Sequence, residues 1–244
     1  MTEIVPIIDA EGSFMTVGEA FGVADDGPWT LPCHAFLVRG DDWAALVDTG
    51  IGPPGPDPFL PERQGWLGDT VPRDEIDVVL FTHLHVDHVG WNMRDGEPFF
   101  PRARYIGRRE DYELFTSARP DRPYIRDQLI ALNDSGRLEL VEADVSPLPG
   151  LTLEHAPGHT PGHCIVRVGE DTVLLGDLAV HELQLADPGV GYVYEVDAPG
   201  AADARRRLLP GLAASGVAVG LGHLTPPLGR LEAAGDGFAW RPLD

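Results

Sequence analysis

The chain has 244 residues, 43% of them hydrophobic and 23% charged, a composition that excludes wholesale disorder and suits one large domain. Its 18 basic residues, all arginine, face 39 acidic ones, and the net charge of −21 repels phosphate backbones and anionic lipid. With no lysine in the sequence, a Walker lysine, a Schiff-base lysine and a lysine general base are excluded.

The opening segment, MTEIVPIIDAEGSF, has neither a basic flank nor a long apolar stretch, so no signal peptide is expected. No apolar run approaches the ~18 residues of a membrane span. Two cysteines, Cys33 and Cys164, are too few for a disulfide framework and are expected as buried thiols in a cytoplasmic protein. Short apolar runs between Gly and Pro predict strands over 35–38 and 44–47, followed by a surface loop over 52–61. Strands follow over 77–82 and 104–106, then helices over 108–116 and 123–133. The second half predicts strands over 151–154, 164–168 and 172–175. A helix over 198–214, opened by Asp197 and Pro199, precedes a last strand over 217–221. Each half carries strands and then helical sequence, so residues 1–244 are expected to form a single domain of two packed halves meeting near residue 140.

The chemistry concentrates in Thr82-His83-Leu84-His85-Val86-Asp87-His88, directly after the apolar run 76–81. Imidazole and carboxylate donors suit zinc or another first-row divalent ion. In an extended segment side chains two apart share a face, so His83 and His85 can grip one ion. Asp87 and His88, beyond the turn, can hold a second beside it. Three more polar residues sit just past predicted strands, each preceded by glycine: His159 after Gly158, Asp177 after Gly176 and His223 after Gly222. Glycine allows a sharp turn there, and strand ends of an α/β sheet are where ligands bind.

HxHxDH, Gly-His, Gly-Asp and Gly-His in this order resemble the metallo-β-lactamase superfamily, and Asp48 in Leu46-Val47-Asp48-Thr49-Gly50 matches an upstream landmark of that family. The resemblance implies an α/β fold, a four-layer αββα sandwich of two mixed sheets with metals at one end. It implies that His83, His85 and His159 bind one ion, that Asp87, His88 and His223 bind another, and that Asp177 bridges them. Asp48 would then accept a hydrogen bond that orients a metal-bound histidine. The bridging Asp177 departs from the zinc β-lactamases, and His85 replaces the glutamate of the diiron flavoprotein branch. The helical domain of glyoxalase-II-type thioesterases is not expected here, and nucleic-acid-processing members do not fit the charge. The compact branch of lactonases, esterases and methyl-parathion-hydrolase-like proteins remains. The last are resembled most closely by His88-Val89-Gly90-Trp91-Asn92 and Phe100-Pro101-Arg102-Ala103-Arg104-Tyr105.

The implied function is hydrolysis of a small-molecule ester, lactone or related acyl bond by a hydroxide between two ions, with Asp87 and Asp177 as the catalytic carboxylates. Zinc is the first expectation for two ions per chain, with iron or manganese as the others. A small-molecule substrate is the expected partner, without nucleic acid or membrane, and a homodimer stays open. An iron-dependent sulfur dioxygenase, or a non-hydrolytic biosynthetic enzyme on the same scaffold, are the alternatives. Among the remaining residues, His163 reads as loop support, and His34 and His155 as core histidines. His181 divides evenly between packing and the pocket. Tyr192 and Tyr194 read as pocket-wall aromatics, and Arg205-Arg206-Arg207 as a solvated helix face. Phe21, Trp29 and Trp66 are expected at the mouth of the site or in the core, and segments 52–72 and 108–133 as its walls.

Overall fold

The computed structural model describes residues 2–53, 65–118 and 123–243, apart from the side chains of residues 13 and 14. Its first half builds one mixed sheet from β1 (Glu3–Thr16), β2 (Pro28–Arg39), β3 (Ala44–Val47), β4 (Val78–Leu80), β7 (Arg104–Arg108) and β8 (Leu138–Val141), in the order β1-β2-β3-β4-β7-β8. The hairpin β5 (Met93–Arg94) and β6 (Glu97–Pro98) stands apart from it. The second half builds another sheet from β9 (Val145–Leu148), β10 (Leu151–His155), β11 (Cys164–Val168), β12 (Thr172–Leu174), β13 (Ala218–Gly220), β14 (Leu228–Ala234) and β15 (Gly237–Pro242). Both sheets mix directions: β3, β4, β7 and β8 run parallel, as do β12 and β13, and the other pairs are antiparallel. The halves change over between β8 and β9, close to the expected residue 140.

The central strands of the first sheet, β3 and β4, read as unbroken apolar runs because both of their faces are covered. Phe36, Val38, Ala45, Val47, Val78, Leu80 and Ile106 point toward Leu151, Leu153, Val166 and Leu174 of the second sheet, forming the inner core. Their alternates, Leu37, Leu46, Val79, Phe81 and Tyr105, point the other way. There they meet α2 (Leu67–Thr70) through Leu67, and α4 (Pro123–Asp134) through Ile125, Leu129 and Leu132. The second sheet is covered in the same manner by α6 (Ala198–Ser215), whose Ala204, Leu209 and Leu212 pack on Ile165, Val173 and Val219. The expected αββα layering is therefore present. No helix among the described residues is long and apolar enough to cross a membrane.

Several elements differ from the sequence expectations. The first strand extends over 28–39, and the 14-residue β1 before it carries no clean alternation because Pro6, Asp9 and Gly12 interrupt it. Its register with β2 skips Asp9, a bulge that turns this carboxylate into the interior. There Asp9 accepts hydrogen bonds from Ile51 N (2.6 Å), Gly52 N (3.1 Å), Leu67 N (2.7 Å) and Trp91 Nε1 (2.9 Å). Burial pushes its pKa up against these four donors. The helix expected over 108–116 divides into α3 (Arg109–Glu113) and a π-helical turn, Leu114–Ala118. Most of the expected loop 52–61 lies outside the described residues.

Arg205 corrects a further expectation. Arg206 and Arg207 are exposed, but Arg205 is fully buried. Glu195 meets its guanidinium at 2.5 Å, and the carbonyls of Leu178, Pro188 and Val190 accept three more of its protons. The helix turns this position toward the sheet along with Ala201, Ala202 and Leu209, so the charge is buried and must be paired. The pair ties α6 to the loop 188–195.

Candidate metal centre

His83, His85, Asp87 and His88 follow β4, His159 lies between β10 and β11, and Asp177 and His223 follow β12 and β13. All seven come together at one end of the sandwich. Donor atoms of His83, His85 and His159 lie within 4.8 Å of one another, as do those of His83, His88 and Asp177. Asp177 faces both directions. Its Oδ2 lies 3.3 Å from His159 Nε2 and 3.8 Å from His83 Nε2, while Oδ1 lies 3.1 Å from His223 Nε2 and 3.3 Å from His88 Nε2. Asp87 Oδ2 closes the second group, 3.5 Å from His223 Nε2 and 3.8 Å from His88 Nε2.

These donors fit metal ions on two observations. His85 Nδ1 lies 3.0 Å from His83 Nε2 and 2.9 Å from His159 Nε2. One imidazole nitrogen carries at most one proton to share between two neighbours, whereas a cation among the three serves them all. In the second group His88 Nε2 and Asp177 Oδ1 are buried without a hydrogen-bond partner, which a coordinated ion would supply. The two sets, joined by one carboxylate, support a dinuclear site.

Remote contacts aim the rings. Asp48, at the end of β3, adopts a positive φ of 61°, which aspartate tolerates better than most residues, and its Oδ2 lies 2.9 Å from His88 Nδ1. A proton on that nitrogen leaves the lone pair of Nε2 free for an ion. Asp48 also accepts from Thr82 N and Thr82 Oγ1, both at 2.7 Å. Pro32 O holds His223 Nδ1 at 2.7 Å, and Thr82 Oγ1 lies 3.1 Å from His83 Nδ1. His163 supports a loop as expected: its Nδ1 donates to Ala156 O and its Nε2 accepts from Asp177 N at 3.0 Å.

Asp111 on α3 carries no local sequence signal. Fully buried, it accepts from Leu84 N (3.2 Å) between His83 and His85, and from Thr160 Oγ1 (2.7 Å) and Gly162 N (2.6 Å) beside His159. It thus clamps two ligand-bearing loops together. Of the three glycines preceding ligands, two are required by the backbone. Gly158 has φ 139° with Ala201 N only 2.3 Å from where a Cβ would stand, and Gly176 has φ 52° with Thr82 Cβ at 2.7 Å. Gly222 needs neither: its nearest such neighbour is 3.6 Å away.

Charge divides the site. Burial and the neighbouring rings hold the His83 and His159 imidazoles well below their ordinary pKa. Burial also disfavours charge on His88 and His223, but Asp177, with Asp48 and Asp87 beside His88, outweighs it and raises both well above the ordinary value. Asp177 is held well below the usual carboxylate range; burial alone would raise it, and the neighbouring histidines, His223 and His88 foremost, reverse that.

An aromatic wall borders the donors. Tyr192 stacks on His159 with 6.1 Å between ring centroids and 10° between planes, and Phe115 meets His85 edge-on at 5.3 Å. Phe21, at the end of α1 (Val17–Phe21), and Trp29 pack against Tyr192, and His181 packs against Phe21 and Trp29, so these two aromatics are buried beside the site. His181 both joins this wall and caps α5 (Glu182–Ala186) by accepting from Leu183 N. Tyr194 packs on Tyr192 while remaining partly exposed, and Trp66 is exposed. His34 is buried against Gly222 O, and His155 is half-buried against Pro161 O.

A model of the metallo-beta-lactamase superfamily matches residues 28–209. An N-acyl homoserine lactonase from Bacillus sp. is 32% identical over 158 residues, 54% of this chain and 56% of that protein. The beta-lactamase-like protein 2 homolog of Drosophila melanogaster is 25% identical over 151 residues, 61% of this chain and 47% of that protein. The chain thus spans about half the length of the curated relatives it matches. Among solved structures, AidC, a dizinc quorum-quenching lactonase in complex with a product, superposes with a TM-score of 0.87 and 20% identity over 100% of this chain and 95% of that one. The hydrolase AbOPH in the beta lactamase superfamily gives 0.82 and 18% over 100% and 94%. Both share the fold.

Proposed function

Since the chain belongs to the metallo-β-lactamase superfamily, we propose that residues 1–244 form a single metallo-hydrolase domain that cleaves a lactone, ester or related acyl bond of a small molecule. The carrying observation is Asp177, whose two oxygens divide between the two donor groups. His83, His85 and His159 hold one ion in this reading, Asp87, His88 and His223 the other, and Asp177 both. Zinc is the first expectation, because imidazole and carboxylate donors suit it. Two divalent ions there supply Lewis acidity toward a carbonyl oxygen and make water nucleophilic at neutral pH. Asp177 fixes the separation of the donor groups, and Asp48 fixes the ring of His88. Partly exposed Asp87 moves a proton between solvent and the departing oxygen. Tyr192, Phe21 and Trp29 offer an apolar wall for the substrate's hydrocarbon part. Two free buried thiols support a reducing, cytoplasmic setting.

The likeness to N-acyl homoserine lactonases puts lactones first in a substrate panel. Protein purified under metal-replete conditions is expected to carry two divalent ions and to open an N-acyl homoserine lactone or an activated ester, read by proton release. Asp177→Ala should lose an ion and the hydrolysis while keeping its circular dichroism. Near-normal turnover in that variant, or a single iron per chain without hydrolysis, would overturn the proposal.

A further inference from the structure

Cys33 lies on β2, next to the Pro32 carbonyl that holds His223. Its sulfur, a carboxylate oxygen of Asp87 and a ring nitrogen of His223 all lie within 4.8 Å of one another. The side chain is 3% exposed and forms no disulfide. The other thiol, Cys164, donates to Gly162 O at 3.5 Å and belongs to none of the donor groups found among the described residues. Two buried atoms of the same donor set lack hydrogen-bond partners, His88 Nε2 and Asp177 Oδ1. Asp177 Oδ1 lies 3.1 Å from His223 Nε2, and His88 Nε2 lies 3.8 Å from Asp87 Oδ2, so each sits beside a residue that Cys33 approaches.

We infer that Cys33 Sγ is a further donor to the ion held by Asp87, His88, His223 and Asp177, giving that ion a soft ligand which its neighbour lacks. This rests on the two-ion reading. The ligating form of cysteine is the thiolate, so loading forms one metal–sulfur bond and releases the thiol proton to solvent, with no change of oxidation state. Zinc accepts a fifth ligand in such sites. A sulfur donor shifts selectivity away from hard ions such as manganese toward thiophilic ones, so the two ions of one molecule would differ in metal preference. The alternative is that Cys33 only packs with Ala10, Trp29 and Leu31 in the apolar cluster beside the site and hydrogen-bonds His223. Packing alone produces no metal–sulfur bond, and that bond has its own absorption.

The whole chain is stripped with chelator and reloaded with cobalt(II), and ions are counted on the same samples whose spectra are recorded. Two cobalt ions per chain and a near-ultraviolet sulfur-to-cobalt charge-transfer band that accompanies only one of them are expected. Cys33→Ser should lose the band while retaining two ions, and its cadmium-over-manganese preference should fall roughly tenfold or more. Cys164→Ala leaves Cys33 as the one thiol in the chain, so a band in that variant supports the assignment without any change at Cys33. Two bound cobalt ions with no band in wild type or Cys164→Ala would overturn the assignment and leave the two-ion reading standing. Failure to bind a second ion of any divalent metal would overturn both.

Discussion

Replacing Asp111 with alanine tests whether the ligand loops are held by one buried carboxylate. The change leaves Leu84 N and Gly162 N buried without an acceptor, while the Thr160 hydroxyl can turn elsewhere. Each orphaned N–H costs about 1–3 kcal/mol, so the two together put the loss at roughly 2–6 kcal/mol. Burial outweighs the three hydrogen bonds and raises the Asp111 carboxyl from 3.8 to about 6. A carboxyl raised on folding stabilises most below the unfolded pKa, and its contribution declines as pH rises to the folded one. That decline amounts to about 3 kcal/mol. The advantage of wild type over Asp111→Ala is therefore largest near pH 4 and narrows by pH 6, so the lower end of the range is expected at pH 7. Urea unfolding of the metal-free proteins measures it. Chelator competition on the folded proteins should show ion affinity weakened about 10–100-fold, because the loops carrying His83, His85 and His159 lose their common anchor. An Asp111→Ala protein within about 0.5 kcal/mol of wild type at pH 7, with unchanged ion affinity, would refute the clamp.

Asp48→Ala should weaken ion binding about 10–100-fold in folded protein, because His88 loses the acceptor that fixes its ring; equal affinities by chelator competition would leave Asp48 as a turn-former only. Gly176→Ala should lower the thermal midpoint and ion content together, since its φ of 52° and the 2.7 Å approach to Thr82 leave no room for a methyl group, whereas Gly222→Ala, with 3.6 Å available, should match wild type in both. Arg205→Met should destabilise by about 3–5 kcal/mol in chemical unfolding by stranding the Glu195 charge, and Arg205→Met combined with Glu195→Gln should recover part of the loss.

The donors themselves were legible in the sequence. Four of them fall within six residues behind one strand, and the two-residue spacing of His83 and His85 suits two donors to one ion. The glycines before His159 and Asp177 marked real backbone demands; the one before His223 did not. The apolar runs of β3 and β4 announced strands covered on both faces, because such strands have no solvent side to carry polar residues. What the sequence hid are polar residues whose partners are distant along the chain. Asp9 meets Trp91 Nε1 across 82 positions, and Asp111 meets Gly162 N across 51. Neither has a periodic or motif signal, since each answers to donors that only the packed sheets bring near. Arg205 looked like part of a solvated triplet because charge predicts exposure, until helix phase and Glu195 gave it a buried partner. The approach of Cys33 to Asp87 and His223 likewise depends on β2 running beside the loop after β13, where Gly222 O accepts from His34 N at 2.9 Å. Local spacing determined which residues could bind an ion. The stacking of the two sheets decided which carboxylates, thiol and aromatic rings surround them, because those contacts join segments that share no turn of helix or strand.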